Sequence, residues 1–355
     1  MSNKPLVTII IATFNSMKTL PMVLDALQKQ SLPREKMEIL LLDGGSSDET
    51  PALGKKYGCQ LIPNPRTEPV YAKFLGYLKA QGKYIVYLDH DEVIENSHSL
   101  ENKIAFFTQF PDVHAVIGSG YRNPAGFSIT NQYINEFGDP FSYFIYRLSK
   151  SVDYFVTHMS ARYPIKNEDK TGVVFDFSQV EALPIIELCA AGSMIDAEFF
   201  KTNFPATQTD PALIPHFFYL LLSKAPTIAL TKNDGLLHYS SETIGRYLNK
   251  IRWRIKNNIY HVDQMGQSGF TGRDKFQPSW LQYKKYLYLP YTLSLILPLL
   301  DTLWLCVTRR DWQYLIHWPL SLFTAGQIVY HYLRKSLGYH PDLRSYDESK
   351  VVTKV

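Results

Sequence analysis

The sequence predicts an α/β protein built on a mostly parallel sheet, with additional helices at its C-terminal end. Near the N-terminus, Leu6 to Ile11 is an unbroken apolar and β-branched run, typical of a strand buried on both faces of a parallel sheet. Further strand-like runs then alternate with segments of helical periodicity, as in βαβ units. With 355 residues, 45% of them hydrophobic, the chain can form one large domain and an appendage.

The elements follow in order along the first third of the chain. Apolar residues recur at helical spacing after the first strand: Leu20, Val23, Leu24 and Leu27. The pattern then predicts a strand at 38–42, a helix at about 70–80, and strands at 84–88 and 113–117. The carboxyl ends of parallel strands meet at one edge, where α/β proteins bind ligands. Asn15, Asp43, Asp89 and Asp91 all fall at such strand ends.

Charge and cysteine content exclude some classes of protein. A formal net charge of +4 is too small to indicate a nucleic-acid binder. Cys59, Cys189 and Cys306 are far apart and lack metal or redox spacing, so we expect packing roles in a reducing compartment. The N-terminal apolar run is interrupted by polar residues and precedes no small-residue cleavage site, so it is predicted to be a strand and not a signal peptide.

Two amphipathic stretches follow in the second half of the chain. Apolar residues between Phe141 and Met159 keep a helical period over about five turns, which predicts one long helix facing either the core or lipid. A second stretch, from Ile244 to Val262, carries Arg and Lys beside its apolar stripe. Residues 241–280 are therefore predicted to form a basic segment at an anionic membrane surface.

The C-terminal region holds two long apolar segments, at 286–307 and 312–333. We interpret 281–335 as a membrane-associated helix pair and 336–355 as a polar tail, with the protein on the cytoplasmic face of the membrane. A two-span hairpin would place Arg309 and Arg310 on the outer side, and Pro298 and Asp301 interrupt the first segment. A re-entrant or in-plane pair is therefore favoured over a hairpin, with a soluble core helix pair as the alternative.

The triplet Asp89-His90-Asp91 follows the strand YIVYL, and two carboxylates so close can share a divalent cation of the kind that a nucleotide diphosphate needs. Upstream stand LVTIIIATFN and EILLLDGGSSDET. This order of strands and polar turns resembles the family 2 glycosyltransferases, which have the nucleotide-binding GT-A fold. The resemblance covers residues 1–240, except that 121–188 matches nothing and is expected to be a variable acceptor-side insertion.

The resemblance implies roles for the donor-side residues. Asp91 would ligate the metal directly, and Asp89 would contact the ribose, or the metal through water. Asp43 would hydrogen-bond the nucleobase or ribose, and Ala12 and Thr13 would contact the base. The cofactor would be a divalent cation, Mn²⁺ or Mg²⁺.

Two further residues belong to the donor side. Lys73 is expected to be a cation near the diphosphate, although Phe74 stands where the family usually has Asn. His238 follows a predicted strand and either completes the metal site or has a structural role.

The resemblance also implies an acceptor side. Gly192 and Ser193, in the segment CAAGSM, would let the acceptor approach. Asn249-Lys250-Ile251-Arg252-Trp253 is similar to the Gln-x-x-Arg-Trp motif of processive members, with Asn in place of Gln. Arg252 and Trp253 are therefore expected near the acceptor or the diphosphate.

The general base would be Asp210, which precedes an apolar helix beginning at Pro211; the same position suits a helix N-cap. The sequence is accordingly interpreted as an inverting, metal-dependent enzyme that moves a sugar from a nucleotide donor to a hydroxyl of a lipid-linked or membrane-proximal glycan. A polyprenyl-phosphate glycosyltransferase, a nucleotidyltransferase and a non-catalytic membrane scaffold are the alternatives. ATFNSMKT lacks the Gly-rich basic loop expected of a nucleotidyltransferase.

Overall fold

The computed structural model describes residues 4–240, 243–344 and 351, which contain two β-sheets. Their strands are β1 (Val7–Thr13), β2 (Met37–Asp43), β3 (Gln60–Pro63), β4 (Tyr84–Asp89), β5 (Glu92–Ile94), β6 (Ala115–Ile117), β7 (Tyr121–Arg122), β8 (Ile165–Glu168), β9 (Gly172–Asp176), β10 (Ser193–Asp196), β11 (Thr227–Thr231) and β12 (Leu236–His238). The large sheet has the order β3-β2-β1-β4-β10-β6-β11-β9-β8, and the small one β5-β12-β7.

The α-helices of these described residues are α1 (Leu20–Gln28), α2 (Thr50–Lys56), α3 (Pro69–Lys79), α4 (Ser99–Gln109), α5 (Ile129–Phe137), α6 (Pro140–Tyr146), α7 (Phe155–Ser160), α8 (Ala197–Asn203), α9 (Phe217–Leu222), α10 (Ile244–Tyr260), α11 (Met265–Ser268), α12 (Phe270–Asp274), α13 (Ser279–Lys284), α14 (Tyr288–Leu293), α15 (Ile296–Arg309) and α16 (His317–Ser336). Short 3₁₀ helices lie at Arg34–Lys36, Pro205–Gln208, Pro211–His216, Lys285–Leu287 and Trp312–Ile316.

The α/β class predicted from the sequence is confirmed in the first third of the chain. Strands β3, β2, β1 and β4 are parallel neighbours, and alternate residues face opposite layers. Ile9 packs with Leu20 and Leu24 of α1, whereas Ile10 packs against the α3 side. The approach of α3 is close: a Cβ on Gly76 would lie 2.6 Å from Ile10 Cγ2, so only glycine fits there.

The region 121–188, predicted to be a variable acceptor-side insertion, contributes strands to the large sheet and residues to the main core. Its strand β9 pairs antiparallel with β11, and β8 extends the same sheet. The single long helix predicted from Phe141 to Met159 is wrong: α6 ends where Arg147 takes a left-handed φ of 51°, and α7 begins only at Phe155. Leu148 and Phe155 both pack into the main core, so the apolar period continued through a turn.

Helix α10 forms the first part of the predicted basic segment 241–280, from Ile244 to Tyr260. Ser241 and Glu242 of that segment lie outside the described residues. Tyr247 and Ile251 of its apolar stripe are buried in a cluster with residues of α5 and the C-terminal helices. Protein thus covers this part of the stripe, while Ile244 stays exposed.

The first C-terminal apolar segment is bent. Leu295 has a φ of 56°, and the chain turns by 92° between Ser279–Leu293 and Ile296–Arg309. Among the described residues, no individual helix has both the length and the apolar character needed to cross a bilayer; only this bent pair passes such a test, and only when its two parts are taken together. The polar tail predicted at 336–355 is described only through 344 and at 351.

Charged residues within the C-terminal region pair with the rest of the protein. Asp301 accepts hydrogen bonds from Arg147 Nη1 at 2.5 Å and from Tyr291 Oη at 2.6 Å. Arg309 Nη2 lies 2.6 Å from Oε1 of Glu136, a residue that is almost completely buried. Because breaking one partner of a buried ion pair typically costs about 3–5 kcal/mol, these contacts fix the C-terminal helices on the domain.

Candidate active site

The acidic residues predicted at the strand ends meet at one edge of the large sheet. The register places Thr13 beside Asp43, and Ala12 beside Asp89. Asp89 ends β4, and its Oδ1 lies 2.6 Å from the ammonium group of the buried Lys73 on α3. Burial alone would lower the pKa of Lys73, but Asp89 outweighs it and the pKa is raised. Lys73 is therefore a fixed positive charge at this edge.

Asp91 and His238 lie side by side where the small sheet meets this edge. Asp91 Oδ2 is 3.8 Å from His238 Nε2, which is too long for a hydrogen bond. Burial lowers the pKa of His238 to about 4, so its imidazole is neutral at physiological pH. Burial would raise the pKa of Asp91, but nearby positive charge, including that of Lys250, lowers it, so the carboxylate is ionised.

This pair fits a divalent cation. Asp91 Oδ2 and His238 Nε2 are 3.8 Å apart. A single ion between them could therefore lie about 2.1 Å from each atom, which is an ordinary metal–ligand distance. Carboxylate oxygen suits Mg²⁺ and Mn²⁺, whereas imidazole suits transition-metal ions, so the donor set favours Mn²⁺. Within the described residues, no group of three or more His, Cys, Asp or Glu side chains forms a complete metal cage. Substrate phosphates and water would thus have to supply further ligands.

Asp43 shapes the turn that follows β2. Its carboxylate accepts hydrogen bonds from Ser46 N at 2.9 Å and Gly45 N at 3.1 Å, and Thr13 Oγ1 donates to it at 3.2 Å. The turn borders a cavity of about 670 Å³. Asn64 lines that cavity as well. Its size is that of a small-molecule site, and it opens beside the acidic edge.

Glu92 joins the acidic edge to the neighbouring turn, and the sequence interpretation missed it. Its carboxyl accepts from Asp89 N at 3.0 Å, Tyr121 Oη at 2.6 Å and Ala191 N at 3.1 Å. Burial, reinforced by the charge of Asp89, raises the pKa of Glu92 to about 8. The residue directly follows the acidic triplet, which was the available signal.

Helix α10 contributes Lys250 to the site. Tyr239 N donates to the Asp91 carbonyl at 2.9 Å, and the next residue, Ser240, accepts from Lys250 Nζ at 2.8 Å. Burial and the nearby Arg254 lower the pKa of Lys250 to about 8, against the attraction of Asp91. Lys250 and Arg254 are one helical turn apart and so share a face, a spacing that the sequence displayed.

The two motif residues predicted for the acceptor side have other contacts. Arg252 is exposed; its Nη1 donates to Asn249 Oδ1 at 2.8 Å, and its guanidinium lies over the Phe323 ring. Trp253 Nε1 donates to the Arg344 carbonyl at 2.8 Å. Lys250, two positions before Arg252, lies about 200° away around the helix, and it is Lys250 that approaches the acidic residues.

Gly192 and Ser193, which were predicted to let the acceptor approach, lie at a turn that leads into β10. Gly192 has a φ of 60°, which explains the glycine, and its N–H donates to the Tyr87 carbonyl at 3.0 Å. Ser193 is buried at the start of β10 and borders a small cavity together with Ala190 and Ala191 of the turn.

Asp210 is exposed, and its Oδ1 accepts from Ala212 N at 2.9 Å, as the N-cap of Pro211–His216. Among the described residues, no hydrogen bond or ion pair joins it to Asp89 or Asp91. The N-cap role is thus observed, and the role of general base stays a prediction.

The fold is that of an α/β protein of the GT-A type. Across 94% of this chain and 89% of the other, the structure resembles a mannosyltransferase from Pyrobaculum calidifontis solved with GDP-Man and Mn²⁺, with a TM-score of 0.53 and 15% identity. That likeness concerns the fold alone. Residues 8–165 match the family model of glycosyl transferase family 2, and the chain therefore carries a family 2 glycosyltransferase domain.

Relatives of known sequence match this chain over short stretches. The poly(ribitol-phosphate) beta-N-acetylglucosaminyltransferase TarS of Staphylococcus aureus is 26% identical over 108 residues, which are 29% of this chain and 19% of TarS. An uncharacterized glycosyltransferase of Haemophilus influenzae is 32% identical over 113 residues, 30% of this chain and 44% of that protein. The match thus spans about a fifth of TarS and less than half of the Haemophilus relative.

Proposed function

We propose that the protein is an inverting, metal-dependent glycosyltransferase that uses a nucleotide-diphosphate sugar. The observation that carries this proposal is the pairing of Asp91 with a neutral His238, 3.8 Å apart. Asp43, at the same edge of the large sheet, borders a cavity of about 670 Å³, which is within the size range of small-molecule sites. The family match of residues 8–165 supports the reaction class.

In this reaction an acceptor hydroxyl oxygen bonds to the anomeric carbon of the donor sugar. The bond from that carbon to the diphosphate oxygen breaks, and the nucleoside diphosphate leaves with the electron pair. The hydroxyl proton passes to a general base, for which Asp210 is the candidate. A single displacement of this kind inverts the anomeric centre.

The chain's own residues would act on the leaving group. Lys250 and Lys73 supply positive charge near the two strand-end carboxylates, where negative charge develops as the diphosphate departs. Asp91 and His238 would hold the cation, which when bound supplies Lewis-acid stabilisation of the diphosphate. Glu92 positions both the Asp89 backbone and the Ala191 turn through hydrogen bonds.

The acceptor is proposed to be a lipid-linked or membrane-proximal glycan, reached from the cytoplasmic face of the membrane. An apolar stripe on α15 supports membrane attachment: Ile296, Leu300, Leu303, Trp304 and Val307 recur at helical spacing and are all exposed. Leu300 is 56% and Trp304 64% exposed. The opposite side of α15 holds Asp301, whose charge is paired with Arg147. An exposed apolar stripe without unpaired charge fits an in-plane or re-entrant contact with lipid.

Purified protein in detergent tests this proposal directly. We expect UDP- or GDP-sugars to release nucleoside diphosphate slowly in Mn²⁺ and not in EDTA, with Asp91→Asn as the inactive control. NMR of the first transfer product should show an anomeric configuration opposite to that of the donor. Release that is equally fast in EDTA, or in Asp91→Asn, would refute metal-dependent transfer, and a retained configuration would refute inversion.

A further inference from the structure

Two asparagines of α5 hold the backbone of His238, one of the two proposed metal ligands. Asn131 Nδ2 donates to the His238 carbonyl at 2.8 Å, and Asn135 Nδ2 donates to the same oxygen at 3.2 Å. The two asparagines are one helical turn apart, so they share a face of α5, and both are buried. The N–H of the same peptide group, that of Tyr239, donates to the Asp91 carbonyl at 2.9 Å. This peptide group therefore joins the backbones of the two proposed ligands.

The imidazole ring of His238 keeps one freedom that these backbone contacts do not remove. Histidine χ2 is roughly two-fold, and a half-turn about it exchanges Nδ1 with Cδ2 and Nε2 with Cε1. Such a half-turn would take Nε2 away from Asp91 Oδ2, from which it lies 3.8 Å. The Tyr121 ring packs against the imidazole with centroids 4.6 Å apart, but a flat neighbour does not distinguish the two orientations. A hydrogen bond at Nδ1 would select one of them.

A buried donor and a buried acceptor near this ring complement each other. Within the parts of the chain that the structure describes, neither His238 Nδ1 nor Asn135 Oδ1 has a hydrogen-bond partner, and both atoms are buried. A neutral imidazole that binds a cation through Nε2 carries its hydrogen on Nδ1, so Nδ1 then needs an acceptor. Asn135 Oδ1 belongs to the amide group that already contacts the His238 carbonyl. Rotation of that amide or of the ring can bring the donor and the acceptor together.

The side-chain oxygen is what Asn135 adds to the contacts of His238. Its amide nitrogen is the more distant of two donors to the His238 carbonyl, because Asn131 already donates there at 2.8 Å. Asn135 is only 2% exposed, so its oxygen has given up water without gaining a partner in exchange. Because an unpaired buried polar atom is costly, one hydrogen bond between Oδ1 and the imidazole would remove the cost at both atoms.

We infer that Asn135 positions His238 for metal binding by accepting the hydrogen of its Nδ1. The bond keeps that hydrogen on Nδ1 and directs the Nε2 lone pair toward a cation shared with Asp91. This inference rests on the proposed function and adds a positioning residue to the proposed metal site. Asn135 itself touches neither the cation nor the substrate.

Mn²⁺ binding to the full chain tests this inference. Mn²⁺ is titrated into protein with an excess of whichever of UDP or GDP binds, and the free ion is followed by electron paramagnetic resonance against a protein-free blank. Asn135→Ala and Asn135→Leu remove the amide, and leucine keeps a similar volume. Asn135→Asp keeps the acceptor oxygen but loses the donor. The matched control is Gln30→Ala, which removes a buried amide that donates to the Asn96 carbonyl at 3.0 Å, a bond that involves neither ligand.

Asn135→Ala and Asn135→Leu should weaken Mn²⁺ binding by about tenfold to a hundredfold, the usual effect of removing the partner of a metal-bound histidine. Asn135→Asp should stay within about threefold of wild type, because a carboxylate also accepts the Nδ1 hydrogen. Gln30→Ala should match wild type. A role limited to the backbone predicts the opposite for Asn135→Asp, which loses the donor and places negative charge beside the His238 carbonyl.

A double-mutant cycle shows whether the effect passes through the imidazole. In protein that carries His238→Ala, adding Asn135→Ala should change Mn²⁺ affinity no further, since the residue through which Asn135 acts is gone. An equal loss in both backgrounds would overturn the inference and assign Asn135 a general structural role.

Two other results would overturn the inference while leaving the proposed function intact. The first is wild-type Mn²⁺ affinity in Asn135→Ala or Asn135→Leu, of which either one suffices if the other does not fold. The second is a fall of Asn135→Asp to the affinity of Asn135→Ala. Absence of Mn²⁺ binding to wild type would overturn the proposed function together with the inference, so the two failures are distinguished by the wild-type titration.

Discussion

Replacing Lys250 by Met should weaken donor binding without weakening the fold. The ammonium group is half-buried and held at Ser240, near Asp91, where the donor diphosphate is proposed to bind. A hydrogen bond from a charged donor contributes about 1.5–3 kcal/mol, and each 1.4 kcal/mol is tenfold in affinity. We therefore expect the dissociation constant for nucleoside diphosphate in Mn²⁺ to rise by about tenfold to a hundredfold.

Calorimetry at pH 7 measures this effect, with Arg252→Met as the matched control. Arg252 lies on the same helix but is exposed and directed toward Phe323, so its loss should leave nucleotide affinity within about twofold of wild type. The opposite result, loss of nucleotide affinity in Arg252→Met but not in Lys250→Met, would contradict this prediction. It would indicate that Arg252, as the family motif implies, and not Lys250, lies at the nucleotide.

The pH dependence of stability gives a second test of Lys250. Its pKa in the folded protein is lowered to about 8 from 10.5, so the unfolded chain binds more protons between these pH values. The contribution of Lys250 to the free energy of unfolding therefore rises with pH from about 8 to 10.5. Lys250→Met should lose that rise and should melt no lower than wild type at pH 7. A lower melting temperature at pH 7 would indicate a structural role instead.

Three further predictions concern other parts of the molecule. Asp210→Asn should keep the N-cap and the melting temperature but lose about a hundredfold or more in turnover. Near wild-type turnover in this variant would favour a phosphate nucleophile, as in a polyprenyl-phosphate glycosyltransferase. The pKa of Glu92 is raised to about 8 in the folded protein, so the stability that its protonated carboxyl contributes should be lost as pH rises from 4.5 to 8. The melting temperatures at pH 5 and pH 9 should therefore differ less in Glu92→Gln than in wild type. An equal difference in the two proteins would contradict the raised pKa of Glu92. The double variant Leu300→Asp, Trp304→Asp should sediment less with lipid vesicles than wild type does. The control Leu78→Asp, which changes an exposed leucine of α3, should sediment as wild type does. Unchanged sedimentation of the double variant would place the membrane attachment elsewhere.

The acidic edge was predictable because local sequence determines it. Each buried parallel strand is a continuous apolar run, and the first polar residue after it must lie at the carboxyl edge. Asp43, Asp89 and Asp91 were therefore located by position alone. Glu92, one residue further on, could have been included for the same reason, but its burial depends on the Ala191 turn, 99 positions later.

Periodicity could not reveal where a helix breaks or what covers its apolar side. Arg147 and Leu295 adopt left-handed φ angles inside apolar stretches, and nothing in those residue types announces a turn. Both α10 and α15 carry apolar residues at helical spacing, but protein covers the first stripe at Ile251 and leaves the second exposed at Trp304.

The central claim is that Asp91 and His238 hold a divalent cation that binds the nucleotide diphosphate. Calorimetric titration of wild type, Asp91→Asn and Asp25→Asn with UDP and GDP, each in Mn²⁺ and in EDTA, tests it most directly. Asp25 lies on α1 and bonds Tyr57, so it controls for the loss of one carboxylate. We predict nucleotide binding to wild type and Asp25→Asn in Mn²⁺ only, with affinity at least tenfold weaker in Asp91→Asn. Equal affinity of all three proteins, or binding that persists in EDTA, would contradict the claim.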